Sequence, residues 1–180
     1  MDQGKLDEAE TGFREALRIS LEVADRPGEG AARGHLASLH LERRNFPEAE
    51  REFNEALALR RATGNRRSEG VVLGDLAGLI AATGRPEEAE RLFRQALEIH
   101  RSVGDRHDEG LHFCDFAVLL VSLRRLDEAA EAWRKGAGIL QGFGDSRGLL
   151  RRAANLREAC SAAGAAGEPR FSEPGGGSPA

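Results

Sequence analysis

The chain has 180 residues and a mass of 19.4 kDa, with 31% charged and 40% hydrophobic residues and a net charge of −4. That size suits one domain or one repeat array, and the apolar content argues against wholesale disorder. Two cysteines, Cys114 and Cys160, are too few for a disulfide-stapled scaffold, and no apolar run is long enough to span a membrane, since the nearest, Val71 to Gly84, carries Asp75.

The first twenty residues lack a basic region followed by an apolar one, so no secretory signal is expected. Two free thiols in a reducing cytoplasm are the expectation. All the basic residues except Lys5 and Lys135 are arginine, which points to a GC-rich, bacterial genome. The acidic residues interspersed among them argue against a nucleic-acid partner.

From the N-terminus, the sequence repeats every 40 residues without insertion. The first element, expected over about 5–23, carries Ala9, Phe13, Ala16 and Ile19. These positions recur as Ala49, Phe53, Ala56 and Leu59, then as Ala89, Phe93, Ala96 and Ile99. A fourth set is Ala129, Trp133, Gly136 and Ile139. Between them lies a second pattern: Gly30, Leu36 and Ala37 return as Gly70, Leu76 and Ala77, then as Gly110, Phe116 and Ala117. At about 100° per residue, Leu73, Leu76, Ala77 and Ile80 fall on one side of a helix, as do Ala89, Leu92, Phe93 and Ala96. Gly84 suits the residue after a helix end, and Pro47 and Pro86 suit a first helical turn. Asn65, Asp105 and Asp145 stand where they can cap the following helix.

The expected organisation is a partial repeat over 1–26, full repeats over 27–66, 67–106 and 107–146, and a capping helix over 147–163. Arg151, Arg152, Arg157 and Glu158 give that last helix a solvent-facing character. Residues 164–180 form a Pro/Gly/Ser tail that cannot bury a core and is expected to be disordered. The first helix bears an apolar stripe with less cover than its successors. A missing upstream segment is the preferred explanation, and a homodimer through that helix is the other.

These ladders resemble the tetratricopeptide repeat. The match is fullest at Leu73, Leu76, Ala77, Ile80, Ala89, Phe93 and Ala96, and weakest in the first full unit, where Arg33 and His40 occupy apolar positions. The period exceeds the usual ~34 residues and is similar to that of kinesin light chains, G-protein-signalling-modulator adaptors and bacterial regulators. The resemblance implies an all-α fold, a right-handed α-solenoid of about eight helices in antiparallel pairs. It also implies a concave groove that takes a peptide. The groove positions it assigns are His35, Ser38, Val71, Asp75, Gly78, Leu111, Cys114, Asp115, Val118, Val121 and Asn155. Val71, Leu111, Val118 and Val121 would anchor apolar side chains. His35, Asp75, Asp115 and Asn155 form a polar ladder, whose alternative role is capping or ion pairing with neighbouring helices. Cys114 would then be open to thiol reagents.

Other motifs carry little chemistry. Gly144-Asp145-Ser146-Arg147-Gly148 fits G-x-S-x-G but lacks the preceding strand that exposes a nucleophile. His107, His112 and Cys114 miss the i, i+4 spacing of helical metal ligands. No catalytic set, metal site or cofactor is expected. The expected function is a non-catalytic protein–protein interaction scaffold in the cytoplasm, with no membrane partner. The alternative is the C-terminal sensor arm of a larger kinase, ATPase or transcription regulator.

Overall fold

A computed structural model describes residues 3–165. The expected tail falls almost entirely outside them. The described residues hold eight helices: α1 (Gln3–Glu22), α2 (Arg26–Glu42), α3 (Phe46–Ala62), α4 (Arg66–Ala82), α5 (Pro86–Val103), α6 (Arg106–Ser122), α7 (Leu126–Gly142) and α8 (Ser146–Ala162). None is long and apolar enough to cross a membrane. The chain divides into two compact units, 1–95 and 96–180, with α5 running through the boundary. In the first, α1 packs on α2, α2 on α3 and α3 on α4; in the second, α6 packs on α7 and α8.

All eight helices stop in the same way. A left-handed residue follows each of them, at positions 24, 44, 64, 84, 104, 124, 144 and 164, two past the helix end except after α5, where Gly104 directly follows Val103. Its N–H bonds back to the helix, as Gly84 N does to Ala81 O at 3.1 Å, and the next N–H reaches one residue further, as Arg85 N does to Ile80 O at 3.1 Å. This double closure satisfies carbonyls that a helix end otherwise leaves bare. Glycine fills five of the eight positions; Ala24, Arg44 and Arg124 adopt the same conformation with a side chain. Asn65 and Asp145 then cap the next helix, accepting from Ser68 N at 3.1 Å and Gly148 N at 2.8 Å. Asp105 departs from this pattern: its carboxylate lies 3.9 Å from His100 Nδ1 and makes no capping bond.

The ladder residues form the cores. Ala49, Phe53 and Ala56 in the first unit, and Ala129 and Trp133 in the second, are almost wholly buried. Each large side chain buried this way stabilises by about 1.5–3 kcal/mol. Gly136 replaces the ladder's alanine because α6 comes too close: a Cβ there would sit 2.6 Å from Cys114 Sγ and 2.7 Å from Gly110 O. In α1 the stripe is thinner. Phe13 is half-buried and stacks on His35 with ring centroids 4.8 Å apart, while Ile19, Leu21 and Val23 are exposed.

The first unit's deviations from the repeat pattern are the polar residues Arg33 and His40. Arg33, half-buried, donates to Glu29 and Glu52 at 2.9 Å each and also pairs with Glu55. It thereby ties α2 to α3. His40 sits buried at the last turn of α2.

Candidate functional site

The assigned groove residues lie on α2 and α4 of the first unit and on α6 and α8 of the second. On α4, Val71, Asp75 and Gly78 are half-exposed, and a Cβ on Gly78 would meet nothing within 4 Å. On α2, His35 is exposed, and Ser38 turns its hydroxyl inward to donate to Gly34 O at 3.1 Å. On α6, Leu111 and Val118 keep partial access to solvent, and Asn155 on α8 is exposed.

Three assignments need correction. Cys114 is 0% exposed, packed where Gly136 makes room for its sulfur, and burial pushes its thiol up to about 12. It is a small core residue, closed to reagents. Val121 is likewise 0% exposed and belongs to the core of the second unit, because the end of α6 is covered on that side too. Arg152, expected to face solvent, is buried: it donates to Leu111 O at 3.1 Å and to Asp115 Oδ2 at 2.9 Å. Asp115 therefore serves as an ion-pair partner between α6 and α8, the alternative role its ladder allowed. Arg151, Arg157 and Glu158 are exposed as expected.

The arginines flanking the turns are mostly engaged within the chain. Arg61 donates to Glu69 Oε1 at 3.0 Å and Arg66 to Glu69 Oε2 at 2.5 Å. Forty residues on, Arg101 donates to Glu109 Oε1 at 2.9 Å, and Arg106 holds the other oxygen. Both glutamates are buried, so each is a charge held by two cations at the start of a helix. The sequence signal was present, since an acidic residue precedes each of the ladder glycines Gly30, Gly70 and Gly110. The burial of Glu69 and Glu109 depends on one arginine from the preceding helix, Arg61 or Arg101, and one from the first position of their own, Arg66 or Arg106. Arg60 is buried too and donates to Pro27 O at 3.1 Å.

The three histidine and cysteine positions do not converge. His107 Nε2 lies 3.1 Å from Asp145 Oδ2, His112 Nδ1 lies 2.9 Å from His100 Nε2, and Cys114 is in the core. The described residues contain no group of three or more histidine, cysteine or acidic side chains arranged to hold a metal. Ser146 opens α8 directly after the turn at Gly144, so the G-x-S-x-G match is a helix junction.

A concavity of about 710 Å³ lies elsewhere in the second unit. Its floor is Phe113 on α6, flanked by Arg101 from α5 at 5.2 Å and Lys135 from α7 at 5.9 Å from the ring centre. Ile139 and Phe143 supply its apolar wall, and Phe143 is 57% exposed.

The tetratricopeptide repeat family model matches residues 1–62 and 68–142. No curated protein matches the chain. Among solved structures, BtubC (BKLC) from P. vanneervenii is similar at a TM-score of 0.73 and 21% identity, covering 91% of this chain and 68% of that one. A Podosopora anserina kinesin light chain-type protein with nearly identical TPR-like repeats is similar at 0.65 and 19% identity, covering 90% of this chain and 81% of that one. A substituted variant of that protein is similar at 0.66 and 19%, covering 90% and 80%. At these identities the likeness speaks to the fold, which is all-α and built of antiparallel helix pairs, the α-solenoid class. With its helices, its ladders and the family model in agreement, the chain belongs to the tetratricopeptide repeat family.

Proposed function

We propose that this chain is a non-catalytic, cytoplasmic scaffold that binds a peptide segment of a partner protein on the exposed faces of its first-of-pair helices. Repeats of this family bind protein partners, and the coarse role follows from the fold. The observation that carries the finer reading is on α6. That helix is buried along most of its length, yet Leu111 and Val118 remain partly open on one side. Apolar groups left accessible on an otherwise packed helix provide anchors without further loss of order on binding. In the first unit, Val71, Asp75 and Gly78 of α4 and His35 of α2 offer the equivalent surface, where the Asp75 carboxylate suits a basic ligand residue. Asn155 completes the face beside α6.

Selection of a random peptide library displayed on phage against the folded protein tests this. Peptides with apolar anchors and basic residues are the expected enrichment, and Val118→Glu should weaken them by about ten-fold, the scale of one lost anchor. Unchanged affinity in Val118→Glu, with helicity intact, would remove α6 from the binding face.

A further inference from the structure

We infer that the concavity over Phe113 is a second binding site, specific for an acidic peptide segment carrying aliphatic or aromatic side chains. It is independent of the face proposed above. Counting about 100° per residue, Phe113 points away from Leu111, Asp115 and Val118, so the two sites use opposite sides of α6.

Charge selects the ligand. The lining holds three cations, Arg101, Arg106 and Lys135, against one carboxylate, Glu109. Glu109 takes one donor group from each arginine, Nε of Arg101 and an Nη of Arg106. A guanidinium has five N–H donors in a fixed fork, so each arginine is held in place with donors to spare. Lys135 bonds Glu131 at 2.5 Å, but both side chains are more than half exposed, and such a pair is exchanged for an incoming carboxylate at little cost. The chain as a whole carries −4, so attraction for an acidic ligand comes from these local cations and not from the net charge.

The apolar part selects a peptide over a nucleic acid. Phe113 already has a cation near its ring from two helices, which leaves it poorly placed to stack a base. Phe143 and Ile139 instead form a wall for an aliphatic or aromatic side chain. Phe143 is steadied by an edge contact with His107, centroids 5.5 Å apart. Gly138 and Gly142 complete the approach: a Cβ on either would meet nothing within 4 Å, so ligand backbone can lie close along α7.

The test is fluorescence anisotropy on the full chain with a short fluorescein-labelled peptide alternating glutamate with leucine and phenylalanine. The controls are the same peptide with glutamine for glutamate, and a labelled oligouridylate. Binding of the acidic peptide alone, weakened by salt, is the expected result. Gly138→Glu and Lys135→Glu should each weaken it by about ten-fold, and Val118→Glu should leave it unchanged. Gly138→Glu fills open space with a better helix former, so its melting temperature should not fall. Equal binding of the glutamine peptide, tighter binding of the oligouridylate, or wild-type affinity in Gly138→Glu would each overturn the site. Because Val118→Glu probes the other face, failure here and failure there are separable.

Discussion

Nε2 of His100 lies 2.9 Å from Nδ1 of His112 in the second unit, and both rings are buried. Two imidazoles at that distance share one proton between their facing nitrogens, so the arrangement requires that they not both be charged. His100 stands at the buried position of the last helical turn, where other helices place Ile80, Leu120 and Leu140.

This pair makes stability depend on pH. Burial, together with the charge of His112, holds the His100 imidazole below its ordinary value of 6.5, against the opposing pull of Asp105, Asp108 and Glu109. Below pH 6.5 the unfolded chain therefore takes up a proton that the folded chain refuses. Stability is intact above that point. It falls by up to about 1.4 kcal/mol per pH unit as the solution is acidified towards the folded-state value. Thermal melts between pH 5 and 8 should show the decline, and His100→Leu should flatten it. An unchanged slope in that variant would assign the effect to other groups.

Two glycines on the same helix should respond in opposite ways to alanine. At Gly136 the new methyl would collide with Cys114 Sγ and with the backbone of α6, so Gly136→Ala should destabilise by about 1–3 kcal/mol. At Gly138 it meets open space, and Gly138→Ala should stabilise by up to about 1 kcal/mol. Denaturant unfolding of both variants measures the contrast.

Arg124 holds φ at 61°, a conformation glycine adopts freely at five equivalent turns. Arg124→Gly should raise stability by about 0.5–1 kcal/mol, the left-handed penalty less the extra entropy of glycine. A lower denaturation midpoint would show that the arginine side chain contributes more than its strain.

Neither thiol should react in the folded protein. Cys114 is 0% exposed with its thiol pushed up to about 12, and Cys160 is buried in the packing face of α8. A chromogenic disulfide reagent should label both only at the rate of unfolding, with labelling accelerated by denaturant. Fast modification at neutral pH without denaturant would contradict the packing around Gly136.

The Asp115–Arg152 contact predicts a structural cost. Asp115→Ala leaves the buried Arg152 guanidinium with only the Leu111 carbonyl from these two bonds, and should destabilise the second unit by about 1–2 kcal/mol, since Asp115 itself is partly solvated. The double variant Asp115→Ala/Arg152→Leu should recover part of that loss in urea titrations.

Helix number, pairing and the core ladders were legible in spacing. A residue such as Phe53 or Ala89 recurs every 40 positions because each helix pair must bury the same stripe, and that constraint is local and periodic. The turns were legible for a related reason, since Gly84 or Asn65 answers a backbone demand within a few residues of itself. The exposure of α6 was not. A wheel that places Leu111, Cys114, Asp115 and Val121 on one free side cannot know that α7 gives up a side chain at Gly136 to admit Cys114, or that α8 sends Arg152 across to Asp115. The same holds for the buried glutamates Glu69 and Glu109 and for the cationic hollow over Phe113. Each is assembled from side chains of different helices, and which of them meet is settled by packing distances that no single helix's periodicity contains.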